Sequence, residues 1–192
     1  MAECKNIMVY VETAEGNPVK VGLEMLSPAK KLADKVTAVV IGGGVADAAK
    51  EVAKAGADQV ICVDSEDYKE FNLDAYAQVL VELVKEENPE AVFVGGTQDG
   101  KDIAPVVAAK CNTGCASDVL DIKAEDGEVI YTCPLYGGTV LEDVKIKTTP
   151  QIATLRSGAF QKVEDPTEGE VVAKEVKAVS YTHLRAHETT LH

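Results

Sequence analysis

The residues best equipped for chemistry lie between Gly95 and Asp102, where the chain reads Gly-Gly-Thr-Gln-Asp-Gly-Lys-Asp. This is one residue away from a phosphate-cradling loop, which takes Ser or Thr after the lysine to hold magnesium. Asp102 stands in that place and Asp99 adds a second carboxylate. A polyphosphate would meet two negative charges with no cation between. The same residues also read as a helix start whose acidic first turn suits the helix dipole, and this structural reading is preferred. Gly42-Gly43-Gly44 lacks the dinucleotide spacing and follows the second strand, so it reads as close helix–strand packing. Arg156, at the end of a strand, could pair with a carboxylate or phosphate or bridge at the surface. All three histidines lie near the C-terminus. His187-Glu188 and His192 are spaced five apart, where a zinc-protease helix needs four, and His183 with His187 makes only a pair. The five cysteines (Cys4, Cys62, Cys111, Cys115, Cys133) have no framework spacing; Cys111 and Cys115 are separated as in some metal pairs, but no second pair of Cys or His follows at a zinc-site distance, and all five read as reduced thiols.

Composition narrows the partners. The 192 residues suffice for one domain with a proper core. Apolar residues make up 46% of the chain and charged residues 27%, which is ordinary globular usage. A net charge of −13 argues against nucleic acid, whose phosphates require a basic face, and against anionic membrane surfaces. No apolar run reaches bilayer length, so no membrane insertion is expected. The start shows no signal or transit pattern, and a cytoplasmic protein is expected.

Elements must then position the turn. Asn6–Glu12, Val36–Ile41, Gln59–Val63 and Ala91–Val94 are apolar runs of the kind found in strands covered on both faces. Between them, helical spacing marks 19–35, with a kink or break expected at Pro28, then Ala46–Ala55, and Leu73–Lys85 capped by Asn72. Strands alternating with helices imply right-handed crossovers, a parallel sheet, and ligands outside the carboxyl ends of the strands where strand order reverses. The Gly95–Lys101 turn is a candidate for that crevice. After Cys115 the pattern changes to Val119–Lys123, Val129–Cys133, Thr139–Lys147 and Ile152–Leu155, read as an antiparallel extension giving a mixed sheet. Residues 161–178 are acidic and read as a linker. Residues 179–192 differ in character from all that precedes them and are read as a non-native tail.

Three segments carry a resemblance. GGTQDGKDIAPVVAAKCNTG followed by ASDV, TCPLYGGTVLEDV (Thr132 to Val144), and PQIATLRSGAF (Pro150 to Phe160) resemble the electron transfer flavoprotein alpha subunit in its N-terminal domain. The likeness runs from about Lys5 to Phe160, in the expected order. It implies an α/β fold of three layers, α/β/α, around a mainly parallel, mixed sheet of the adenine nucleotide alpha hydrolase-like kind, with a domain over residues 1–160. It further implies a scaffold half of a heterodimer that carries electrons from acyl-CoA or other dehydrogenases to an acceptor, packed on a beta subunit. FAD in such proteins sits mainly in a second alpha domain that would follow the linker, so this chain reads as truncated before it and is expected to hold FAD weakly or not at all.

By the same resemblance, a flavin- or partner-facing edge comprises Gly95, Gly96, Thr97, Gln98, Lys101 and Arg156. That edge, or the acidic surface, is expected to bury against the partner. Val106 and Cys133 stand where the family often has arginine, which removes positive charge from the edge. The alternative is a stand-alone adenine-nucleotide-binding domain of stress-protein or ATP-pyrophosphatase type, whose glycine-serine loops Glu12 to Gly16 do not supply.

Overall fold

The computed structural model describes residues 4–125 and 127–176. In chain order the elements are β1 (Cys4–Tyr10), β2 (Thr13–Ala14), β3 (Asn17–Pro18), α1 (Lys20–Leu32), β4 (Ala33–Gly42), α2 (Ala46–Lys54), β5 (Gln59–Asp64) and α3 (Leu73–Glu87). There follow β6 (Ala91–Gly95), α4 (Gln98–Lys110), β7 (Cys115–Val119), β8 (Asp121–Glu125), β9 (Glu128–Leu135), β10 (Val140–Val144), β11 (Gln151–Leu155) and β12 (Glu170–Ala173).

Seven strands form one sheet in the order β12-β5-β4-β1-β6-β11-β7, and every pairing in it is parallel. Alternation along the strands divides the core into two. Ile7, Val9, Val36, Ala38 and Phe93 face α1 and α2. Met8, Tyr10, Val39, Ile41, Val92 and Val94 face α3 and α4. The three-layer α/β arrangement that the resemblance implies is therefore present.

Three local expectations are corrected. Among the described residues the sheet is not mixed: the antiparallel strands expected after Cys115 form a separate sheet, β10-β9-β8, packed on the α1/α2 side through Val129, Tyr131 and Cys133. Ile152–Leu155 leaves them and joins the main sheet between β6 and β7. Second, α1 is one continuous helix with Pro28 inside it, so of the kink or break expected there the break does not occur. An interior proline costs about 3 kcal/mol. Val21, Met25, Leu26 and Leu32 are buried along the helix. Their burial contributes roughly 1.5–3 kcal/mol each and outweighs the proline. Third, part of the acidic segment after Phe160 is ordered as a strand. β12 extends the sheet edge, its Val171 and Val172 in register with Val60 and Ile61.

Other local features follow the residues. The Asn72 side chain accepts the Ala75 N–H (3.1 Å) at the start of α3, as a helix cap should. Asn88, with φ 46°, ends that helix in the left-handed region, a common helix stop. Gly169 delivers β12. Its N–H donates to Ala53 O (3.0 Å), and a Cβ there would lie 2.0 Å from Ala57 O. Gly169→Ala is therefore expected to release residues 161–176 from the sheet edge while the core stays folded. Limited proteolysis should cut the variant within this segment much faster than the parent; equal rates would contradict the docking.

Candidate functional site

Strand order reverses between β1 and β6, which are in parallel register at Tyr10 and Val94. The crevice therefore opens where Glu12 and the Gly95–Lys101 turn leave the sheet. At this point the chain must go directly from a buried strand into α4. Gly96 N–H donates to Leu155 O (2.7 Å), laying the turn against the end of β11. Thr97 caps α4: its Oγ1 accepts the Gly100 N–H at 2.9 Å. The same hydroxyl donates to the Glu12 carboxylate, at 2.6 and 2.8 Å from its two oxygens.

Glu12 is the residue that motif reading misses. It stands directly after an apolar strand at the switch point, which is the only signal it carries. Burial pushes its carboxyl above the usual range; the Thr97 hydrogen bond opposes this and the neighbouring Asp99 adds to it. The sign follows. In the window from 4.5 up to the raised folded value, the folded state holds the proton more firmly, so stability falls as pH rises through that window. Glu12→Gln keeps an acceptor for Thr97 and removes the charge. Relative to the parent, the variant should gain in melting temperature at neutral pH and lose that advantage below the window. A deficit at neutral pH would contradict the assignment.

The six expected edge residues fall on two sides of the turn. Gly95 and Thr97 turn toward Glu12, Gln98 is exposed on the first turn of α4, and Gly96, Lys101 and Arg156 lie on the side of β7 and β11. Arg156 is paired within the chain: its Nε donates to Asp118 Oδ1 at 2.9 Å and a terminal nitrogen donates to Oδ2. Asp118 adopts φ 60° and its N–H donates to Thr154 Oγ1 (2.8 Å), which aims the carboxylate at Arg156. The Arg156 hydrogen bond holds the Asp118 carboxyl below its usual range; burial opposes this, and the charges of Arg156 and Lys101 add to it. Of the two family departures, Cys133 is buried in β9 and Val106 packs against the α3/α4 core.

Phosphate finds little at this edge. The first turn of α4 is satisfied by Thr97 and backed by Glu12, and at the approach to α2 Gly44 N–H donates to Asp64 Oδ1 (2.7 Å). A hydroxyl backed by the Glu12 carboxylate thus takes one N–H at the start of α4, and the Asp64 carboxylate takes one just before α2, where an anion would otherwise bind. Beside them lies a cavity of about 290 Å³ lined by Glu12, Glu15, Asp99, Tyr10, Tyr76 and Lys69 among others. Burial, with Asp99 and Tyr68 near, pushes the Tyr76 hydroxyl up to about 12, and that hydroxyl donates to Tyr68 O at 2.6 Å. The five cysteines are free thiols. The three histidines lie outside the described residues. Among the described residues no helix is long and apolar enough to cross a membrane.

Comparison with known proteins agrees with this architecture. The family model "Electron transfer flavoprotein domain" matches residues 7–184. Protein FixB of Clostridium saccharobutylicum is 37% identical over 170 residues, covering 85% of this chain and 51% of that protein. The electron transfer flavoprotein subunit alpha of Clostridium acetobutylicum is 36% identical, covering 84% of this chain and 50% of its own length. That of Bacillus subtilis is 34% identical, covering 94% and 56%. The chain thus spans about half the length of the curated relatives it matches. It belongs to the electron transfer flavoprotein family, and its relatives place it with the alpha subunits.

Proposed function

We propose that this chain, with the 1–160 domain expected from the sequence extended by the β12 edge strand, is the scaffold domain of an electron transfer flavoprotein alpha subunit, acting in a cytoplasmic heterodimer that carries electrons from acyl-CoA or other dehydrogenases to an acceptor. In this reading the chain docks a beta-type subunit and leaves FAD to be held elsewhere in the complex. The observation that carries it is an apolar surface on the small antiparallel sheet. Leu135, Tyr136, Val140 and Leu141 are all exposed, Tyr136 at 84% and Leu141 at 59%. Turned outward on one hairpin, they are side chains of the kind that anchor protein interfaces. This surface supports the partner reading better than the Gly95–Lys101 edge, whose Arg156 is already neutralised by Asp118.

The chain's own residues do not fit FAD. Its diphosphate would meet Glu12, Glu15 and Asp99 in the cavity, against a single cation, Lys69, which lies 3.5 Å from Glu66. The cavity volume of about 290 Å³ is also small for a dinucleotide, since drug-sized ligands alone fill roughly 300–1,000 Å³. The same carboxylates disfavour a stand-alone adenine-nucleotide domain. The test is association with a purified beta-type subunit, followed by sedimentation velocity. A one-to-one complex is expected; two independent boundaries at all concentrations would count against the proposal.

A further inference from the structure

The cavity beside Glu12 is disfavoured for anions, and it has a property that the scaffold reading does not use. Tyr10, at its floor, is only 2% exposed, yet its hydroxyl forms no hydrogen bond with any described residue. Buried tyrosine hydroxyls ordinarily find a partner. This one is not sealed in the core, because Gln78 Oε1 is the single sealed side-chain polar atom without a partner among the described residues. It opens on the cavity, facing a volume that Glu12, Glu15 and Asp99 also line.

The remaining wall is aromatic. Tyr76 packs edge-on against Tyr68 (ring centroids 5.7 Å apart) and against Phe71 (5.0 Å), and all three rings line the cavity. Carboxylates, an unused hydroxyl acceptor and ring faces together are complementary to an organic cation with several N–H donors. Two groups oppose this. The start of α4 carries a positive dipole of about half a charge, which the Glu12 carboxylate behind it offsets. Lys69 is exposed and lies by Glu66. The cavity wall therefore keeps an excess of negative charge. A divalent metal fits less well, since no three His, Cys, Asp or Glu side chains among the described residues converge closely enough to hold one. Burial lifts the Glu12 carboxyl above its usual range, as expected for an acid whose counter-charge must come from outside the chain.

We infer that this cavity binds a compact organic cation, a guanidinium or primary ammonium group on a short apolar stem, through the Glu12 carboxylate, the Tyr10 hydroxyl and the Tyr76–Phe71 wall. A volume of about 290 Å³ suits the cationic group and a stem of a few carbons. The inference is independent of the partner proposal, since the exposed hairpin does not line the cavity.

The test is isothermal titration of the full 192-residue chain with agmatine, N-acetylarginine methylamide, uncharged butylurea and magnesium chloride. Agmatine or the arginine derivative should bind with a dissociation constant on the order of 1 mM or tighter, as the few atoms involved allow. Preference for agmatine identifies a free small molecule as the ligand; preference for the capped arginine identifies a protein side chain. Glu12→Gln should weaken binding at least about tenfold, as expected for losing a charged hydrogen-bond partner. Tyr10→Phe should weaken it roughly fivefold, within the range for one hydrogen bond. It should leave the melting temperature unchanged, because the deleted hydroxyl has no partner among the described residues. No binding by either cation, equal binding of butylurea, binding indifferent to both substitutions, or saturable magnesium binding that excludes agmatine would each overturn the inference.

Discussion

Gly100→Ala is expected to cost about 3 kcal/mol of folding stability or more, at or beyond the upper end of overpacking substitutions. The cause is backbone proximity. A Cβ at position 100 would lie 1.9 Å from Gly95 O and 2.9 Å from Glu12 Oε1. The carbonyl cannot rotate aside as a side chain could, because Gly95 ends β6 inside the sheet. Relief requires the first turn of α4 to lift off the strand, which breaks the Thr97 cap and carries Ile103, Ala104 and Val107 away from the core. Gly44→Ala is a useful comparison. Gly44 adopts φ 72°, and an added Cβ would meet nothing within 4 Å. Only the backbone preference is lost there, about 1–2 kcal/mol for a side chain held in the left-handed region. Urea unfolding of both variants should separate them clearly. Equal losses would mean that the turn is looser than its geometry implies.

The second large effect concerns association. Tyr136→Asp combined with Leu141→Asp should weaken binding to a beta-type subunit by at least about a hundredfold, or roughly 3 kcal/mol, the scale on which central aromatic and aliphatic anchors act. Both side chains are largely solvent-exposed in the isolated chain. Folding stability should therefore move by no more than about 0.5 kcal/mol. Tyr136 has φ 49°. Aspartate tolerates that conformation better than most residues, which further protects the fold of the hairpin. A matched change at Gln98 and Lys101 serves as the comparison surface. Full loss there with none on the hairpin would return the interface to the glycine-turn edge.

Much of the fold is legible in the residues because its signals are local. The apolar runs at 7–11, 36–41, 60–63 and 91–94 are buried on both faces, and helical spacing between them leaves one topology in view. What is not legible depends on pairing between distant segments. The strands after Cys115 show their alternation and turns, yet nothing in β8, β9 or β10 says which sheet they join, and they build their own. β12 hides in an acidic stretch, because four residues with two valines carry too little pattern to outweigh their neighbours. The site divides in the same way. The Gly95–Lys101 turn is visible as a motif and falls at the switch point. Glu12, Tyr10 and Asp118 acquire meaning only from groups distant in the chain, namely Thr97, Asp99 and Arg156. Arg156 stands out in the sequence for its chemistry, and its partner proves to be a carboxylate of its own chain.

In the proposed reading these residues dock a partner and leave flavin to be held elsewhere in the complex. Equilibrium dialysis of the purified 192-residue chain against FAD tests it most directly, with flavin read from its visible absorbance. The expected result is a colourless protein that retains no stoichiometric flavin at any FAD concentration used. A yellow chain that keeps one FAD per polypeptide through dialysis would contradict the account.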